Sequence, residues 1–457
     1  MPDDLKNSGT AISVADENRR HVIFPWTKQA GLKPKEIVRA EGVHVWDGSG
    51  KRYLDLAAQL ACVNAGHQHP RIVRAIQEQA AKLCYAAPQY ATEARGKLAR
   101  MIAEVMPGDL NKVYFTSAGA EANEYAVKIA RTVTRRPKII ARYRAYHGAT
   151  HGAMSLTGDW RRAYSEPGMP GTVHAFQPYC YRCTFGQEPG SCARECLSSL
   201  EEIIQSENPD FVAAIIVETI TGPSNGLYVP PDDYMPKLRA LCDKYGIMLI
   251  CDEVMSGWGR TGEWFAVNNW NVVPDIITTA KGLTNSQVPL GAVAVSARIA
   301  EALEEQTLWA GSTYSGHALA CAAGIAAIET YREEGLIENS RRLGTVLLAE
   351  LERIQQRHPT VGDVRGRGLF AAIELVKDRG TRAPLMPARE EPYATRGGLG
   401  AIKRALDEAG VMVFTRPNLI GISPPLTITE EQLMEGLAAL DRALDHADAM
   451  LTETAAG

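Results

Sequence analysis

Through the middle of the chain, short apolar runs rich in β-branched residues alternate with stretches whose apolar positions recur every three or four residues. The first pattern predicts buried strands and the second amphipathic helices; together they predict a mostly parallel sheet covered on both faces. Strands are expected at 112–116, 138–143, 211–218, 247–252, 276–280 and 292–296. Between two of them, 235–245 puts Leu238, Leu241, Cys242 and Tyr245 on one stripe, with Gly246 as the stop. Nearer the N-terminus, 42–56 alternates around Asp47-Gly48 and predicts a hairpin, and 70–82 predicts a helix with Ile72, Ile76 and Ala80 on one face. After about residue 320 the pattern changes to long helices at 317–334 and 337–356, followed by short strands. Thr429-Glu430-Glu431-Gln432 then reads as a capping box, opening a helix that turns Leu433, Leu437, Leu440 and Leu444 to a core. The expected class is α/β. A large domain spans 71–320, and a smaller α+β domain is built from 1–70 and 321–457.

Composition narrows the partners. Of 457 residues, 45% are hydrophobic and 22% charged, with a net charge of -4, which leaves no basic footprint for nucleic acid. No apolar run approaches the roughly eighteen residues of a membrane span. The opening Met1-Pro2-Asp3-Asp4-Leu5-Lys6-Asn7-Ser8 lacks the apolar centre of a secretory signal, so a cytoplasmic protein without nucleic-acid or membrane partners is expected. The nine cysteines do not form a disulfide framework, but four of them cluster as Cys180-x-x-Cys183 and Cys192-x-x-x-Cys196, with His174 upstream. A zinc site can use such spacing. The second pair has one residue more than the tight knuckle, and the favoured reading is a reduced, partly buried loop without metal.

Chemistry concentrates at strand ends. Lys281-Gly282 closes the apolar run 276–280, and Asp252 closes 247–251, which puts an amine and a carboxylate where open α/β sheets bind ligands. Pyridoxal phosphate needs both: an amine to hold its aldehyde and an acid to keep its ring nitrogen protonated. A carboxylate closing an apolar strand must be solvated or paired, and the pyridinium nitrogen supplies the pairing for Asp252. Glu218 closes another strand and either stays solvated, tunes the site or meets substrate. Small residues in Ser117-Ala118-Gly119-Ala120-Glu121-Ala122-Asn123 let a phosphate approach free N–H groups at a helix start. Tyr146, in Tyr146-His147-Gly148, can stack on a flat ring or serve as a core aromatic.

Taken together, these stretches resemble the class III pyridoxal-phosphate aminotransferases. The resemblance is carried by 115–123, by Tyr146-His147-Gly148, and by Asp252-Glu253-Val254 with Gly257-Trp258-Gly259-Arg260-Thr261-Gly262. It is carried further by Ala280-Lys281-Gly282-Leu283 with Pro289-Leu290-Gly291, and by Gly311-Ser312-Thr313-Tyr314-Ser315-Gly316-His317. The motifs fall in the family's order, and the likeness extends from roughly residue 20 to 445. It implies the fold-type I architecture, with a small domain from both chain ends and a homodimer whose active sites lie at the interface. It also implies that Lys281 is the Schiff-base lysine and proton carrier, that Asp252 is the partner of the ring nitrogen, and that Tyr146 and Val254 flank the ring. Gly119 and Ala120 resemble the phosphate turn, and Thr313 with Ser312 a phosphate contact from the other subunit. Many relatives have a hydroxyl where Ala120 stands, so a backbone-only contact is expected there.

Within the family the chain is most similar to ω-aminotransferases that pass an amino group from an amine or ω-amino acid to pyruvate in a ping-pong reaction. Trp26 and 60–64 resemble stretches lining the substrate pocket, which is expected to be roomy at Ala61. Arg416, ahead of Ser423-Pro424-Pro425-Leu426, resembles the mobile arginine for a substrate carboxylate, although its distance from Pro424 is short. The alternatives are another reaction on the same scaffold (aminomutase, racemase or decarboxylase) and a non-catalytic binding protein.

Overall fold

The computed structural model describes residues 12–387 and 398–455, so the N-terminal octapeptide read above lies outside the described residues. Its centre is a seven-stranded sheet built from β1 (Leu110–Thr116), β2 (Lys138–Arg142), β3 (Thr172–Ala175), β4 (Val212–Glu218), β5 (Met248–Asp252), β6 (Ile276–Thr279) and β7 (Gly291–Ser296). The spatial order is β1-β7-β6-β5-β4-β2-β3. Pairing is parallel from β6 to β3, and only β7 runs antiparallel to its neighbours β6 and β1. Every residue of β4, β5 and β6 is buried, as expected of parallel strands covered on both faces. The predicted strands recur with ends moved by one or two residues, but β3 has no counterpart in the sequence reading. Thr172-Val173-His174-Ala175 is a short, half-buried edge strand without a period-two pattern.

This topology positions the site. Because β4, β5 and β6 are parallel, their carboxyl ends emerge on one edge. Glu218 pairs with Asp252, and Asp252 with Thr278, so Lys281 follows three residues beyond the partner of Asp252. Helix α1 (Gly119–Thr134) leads away from β1 and buries Ala122, Ala126, Ile129 and Ala130 against the sheet, while Tyr125 is half-buried.

The two ends of the chain share a second sheet, in which Val411–Met412 pairs in parallel with Arg52–Asp55 of the N-terminal hairpin. Arg260, fully buried, ties the same regions together: Nη2 donates to Asn64 Oδ1 at 2.6 Å, and Nη1 donates to the carbonyls of Leu369 (3.1 Å) and Pro424. Helices Pro70–Lys82, Tyr234–Tyr245, Ala318–Glu333 and Leu336–Arg357 match the expected spans closely. In the first, only Ile72 is buried, Ile76 is half-buried and Ala80 is exposed, so its apolar face is shallower than the spacing predicts. Among the described residues no helix is long and apolar enough to cross a membrane.

The capping box is present: Gln432 N–H donates to Thr429 Oγ1 at 3.2 Å and Thr429 N–H to Gln432 Oε1 at 3.0 Å. The helix it opens, Glu430–Ala443, buries Leu433, Leu437 and Leu440 completely, and Leu444 follows in the same core. Thr429→Ala is expected to cost about 1 kcal/mol of local stability, read as roughly fivefold faster amide exchange in the first turn of this helix. Unchanged exchange would show that the cap does not hold that turn.

Candidate active site

The carboxylate of Asp252 is 4% exposed and meets three donors. His147 Nδ1–H donates to Oδ2 at 2.8 Å, Asn123 Nδ2 to the same oxygen at 2.7 Å, and Val254 N–H to Oδ1 at 3.0 Å. These bonds offset the cost of taking the carboxylate out of water. Asn123 is fixed in turn, since its Nδ2 also donates to the His147 carbonyl at 2.7 Å and its Oδ1 accepts from Thr278 Oγ1 at 2.6 Å. His147 Nε2 is buried without a hydrogen-bond partner among the described residues.

Glu218 lies beside Asp252, but both its oxygens are occupied, by Tyr146 N–H and by Gly222 N–H, each at 2.8 Å. Burial, with the charge of Asp252 nearby, pushes its carboxyl above the usual range. Its visible work is to brace the Tyr146 backbone.

Close packing draws the other stretches together. A Cβ on Gly119 would stand 2.9 Å from both methyls of Val254 and 3.5 Å from the Ala280 Cβ. A Cβ on Gly148 would stand 2.4 Å from that of Ala120. The start of α1 therefore abuts the Tyr146-His147-Gly148 turn, Val254 and the residue before Lys281. The N-cap of α1, Ala118, offers no side-chain acceptor, which leaves its first N–H groups open to an anion. Lys281 is half-buried at φ +45°, in the left-handed region, and Ser286 N–H donates to its carbonyl at 3.0 Å. A non-glycine residue held there stores strain, a feature that clusters at functional sites.

The remaining residues are more spread. Trp26 is 40% exposed and sits edge-on to Tyr146 with ring centroids 6.3 Å apart. Arg416 is half-buried over the Phe414 ring at 5.0 Å. Burial pushes the Tyr146 phenol up, and the nearby charges of Arg161 and Arg416 oppose it. Ala61 is 2% exposed in the main core, while Leu60 beside it is 60% exposed, so Leu60 presents the open face of that segment. Ser312 and Thr313 sit on an exposed loop, where Tyr85 donates its hydroxyl to the Thr313 carbonyl at 3.0 Å.

Sequence reasoning missed Arg161. Its guanidinium carbon lies 4.2 Å from the Tyr146 ring centroid and 5.2 Å from that of Trp26. The only local signal is Asp159-x-Arg161 in an irregular segment: Asp159 accepts from Arg161 N–H and Nε and pairs with its guanidinium.

The four clustered cysteines are free and half-buried, and burial pushes the Cys196 thiol up to about 11. Among the described residues one set of three metal-ligating side chains has its ligand atoms within 4.8 Å of one another, namely His358, Asp445 and Asp448, and the cysteines form no such set. His174 is engaged elsewhere. Arg162 Nη1 donates to its Nδ1 at 3.1 Å, its Nε2–H donates to the Thr157 carbonyl at 3.2 Å, and its ring stacks on Tyr143 at 5.2 Å. Burial, with the Arg162 charge second, lowers its pKa to about 4. A histidine kept neutral in the fold adds stability above its unfolded value near 6.5, and that stability is lost as pH falls towards the folded value. Between pH 7 and 4.5, His174→Gln is expected to lose about 2 kcal/mol less stability than the parent in denaturant titrations. Equal losses would contradict this assignment.

A profile for "Aminotransferase class-III" matches residues 28–444. The solved taurine:2-oxoglutarate aminotransferase from Bifidobacterium kashiwanohense, in complex with PLP and glutamate, is 44% identical, with a TM-score of 0.90 over 95% of this chain and 98% of that one. The putrescine–pyruvate aminotransferase of Pseudomonas aeruginosa is 36% identical over 94% of this chain and 95% of its own. The leucine/methionine racemase of Thermococcus litoralis is also 36% identical, over 92% and 93%. The chain belongs to the class III aminotransferases, fold-type I enzymes that use pyridoxal phosphate to move amino groups between amines or ω-amino acids and keto acids.

Proposed function

We propose that the cluster at the carboxyl ends of β4, β5 and β6 is the cofactor site, with Lys281 and Asp252 as its catalytic residues. The observation that carries this reading is the strand register. Asp252 faces Thr278 across parallel strands and Lys281 follows three residues on, so acid and amine leave the sheet on one edge. The other residues present fit pyridoxal phosphate as well. The uncapped start of α1 offers N–H groups to its phosphate, with Gly119 and Ala120 at that start, and Ala120 contributes no hydroxyl. Tyr146 and Val254 would flank its ring.

When bound, the cofactor supplies an electron sink for the charge that develops on the donor carbon. Lys281 would hold the cofactor through its amine, and the same Nζ, once free, would carry the proton of the donor's amine-bearing carbon. Asp252, fixed by His147, Asn123 and Val254 N–H, holds a proton on the ring nitrogen. Glu218 keeps Tyr146 in place, and Trp26 and Arg416 border the substrate, Arg416 meeting the carboxylate of the keto acid. That acid is pyruvate, a reading supported by the acceptor named for the putrescine relative. Ser312, half-buried, and Thr313, exposed, would reach the phosphate of a second copy in a homodimer. The protein acts in the cytoplasm on small molecules. Its small domain combines 1–70 with 321–457 around the large domain 71–320, as the pairing of Val411–Met412 with Arg52–Asp55 supports.

Purified protein given an amine donor and pyruvate is expected to form alanine. Lys281→Ala should lower that rate by about a thousandfold or more, with its circular dichroism unchanged. A normal rate in the variant sinks the role of Lys281. Inversion of an amino acid without alanine formation points to a racemase, the activity named for one relative.

A further inference from the structure

The turn that carries Lys281 and the segment that carries Leu60 both hold unusual backbones, and one side chain fastens them to each other. After β6, three non-glycine residues within six are left-handed: Lys281 (φ +45°), Asn285 (φ +55°) and Ser286 (φ +53°). Bonds inside this turn, from Asn285 N–H to the Gly282 carbonyl at 3.1 Å and from Ser286 N–H to the Lys281 carbonyl at 3.0 Å, set its shape but not its place. About 220 residues earlier in the chain, Ala58 (φ +40°), Gln59 (φ +60°) and Ala61 (φ +53°) are left-handed as well. There the fully buried Asp55 carboxylate accepts from the N–H groups of Ala57 at 3.1 Å and Gln59 at 3.0 Å. Such backbones persist only where their surroundings over-determine them.

Asn285 joins the two. It is 1% exposed, its Oδ1 accepts from Ala65 N–H at 2.8 Å, and its Nδ2 donates to the Gly66 carbonyl at 2.7 Å. Ala65 and Gly66 are themselves buried, so one amide meets a buried donor and a buried acceptor at once. The contact is tight around it. A Cβ on Gly282 would stand 2.7 Å from Asn64 Nδ2, which donates to the Trp258 carbonyl at 2.9 Å, and the Tyr331 hydroxyl donates to the Gly282 carbonyl at 2.7 Å. A left-handed position taken alone is met at least cost by glycine; asparagine adds an amide, and here that amide is spent on the neighbouring segment.

We propose that Asn285 is a positioning residue: its amide locks the Lys281 turn to segment 58–66, so that the amine and the wall bearing Leu60 keep one separation. The inference rests on the cofactor site proposed above, since Lys281 must be the reacting amine.

The test follows alanine formed by the holoenzyme from an amine donor and pyruvate, and reads backbone amide exchange by peptide mass mapping. Asn285→Gly keeps the left-handed backbone and removes only the amide, whereas Asn285→Ala disturbs both. Both variants should lose about tenfold or more in kcat with the KM for pyruvate within about twofold, because misplaced reacting groups slow turnover without weakening binding. Exchange in the peptide covering 57–66 should rise about tenfold in both. Asn285→Asp has the same shape and keeps the claim testable even if the other variants fold poorly. Ionised, it sets a carboxylate oxygen against the Gly66 carbonyl; protonated, it restores a donor, and burial raises its pKa. Its rate relative to the parent should therefore climb about fivefold as pH falls from about 9 to about 6, which a role in shape alone would leave flat. Parent-like activity of Asn285→Gly beside a loss in Asn285→Ala shows that only the backbone conformation matters and overturns the inference, as does a pH-independent ratio for Asn285→Asp. If the parent forms no alanine, the transamination reading fails and exchange alone judges the clamp: faster exchange at 57–66 in Asn285→Gly supports it, and unchanged exchange overturns it.

Discussion

A carboxylate at the end of a fully buried strand is the constraint around which this molecule is assembled. Asp252 cannot be withdrawn from water without donors, and it obtains them from three separate stretches: the His147 ring beyond β2, the Asn123 amide on α1 and the Val254 N–H of its own loop. Asn123 also accepts from Thr278 on the next strand, so one polar network joins α1, β5, β6 and the segment after β2. Neither the helix nor the loop can shift far without leaving Asp252 short of a partner, which makes the network stiff and places the acid reproducibly.

Close approach does the rest. Small residues are required wherever this network pulls backbones together: Gly119 against Val254, Gly148 against Ala120, and Gly282 against Asn64 and Trp258. The close packing at the start of α1 thus also sets the distance between that start and the strand ends. Lys281 leaves β6 in a left-handed conformation fastened by Ser286, so the amine departs from a fixed backbone on the same edge as the acid.

Much of this was legible in the chain itself. β4, β5 and β6 announce themselves as apolar runs, each closed by a titratable residue or followed closely by one, and the stops at Gly246 and Thr429 are written in single residues. What escaped depends on contacts distant in sequence. Arg161 lies against Trp26 and Tyr146, distant in sequence, and no local pattern carries that information. The segment holding Ala61 has positive φ at Ala58, Gln59 and Ala61, so neither period two nor period 3.6 applies and the outward side chain proves to be Leu60. His174 lay near enough in sequence to suggest a ligand for the cysteines, yet strand pairing in β3 commits it to Arg162 and Thr157. The partners of Glu218, the N–H groups of Tyr146 and Gly222, lie in loops that no strand or helix period marks.

The central claim is that the amine and the acid on neighbouring strand ends grip one cofactor between them. Borohydride reduction of the holoenzyme, followed by peptide mass mapping, tests it most directly because it fixes the bond to whichever lysine made it. The account predicts a phosphopyridoxyl mass on the peptide containing Lys281 and on no other. The same mass on a different lysine, with Lys281 unmodified, would contradict it.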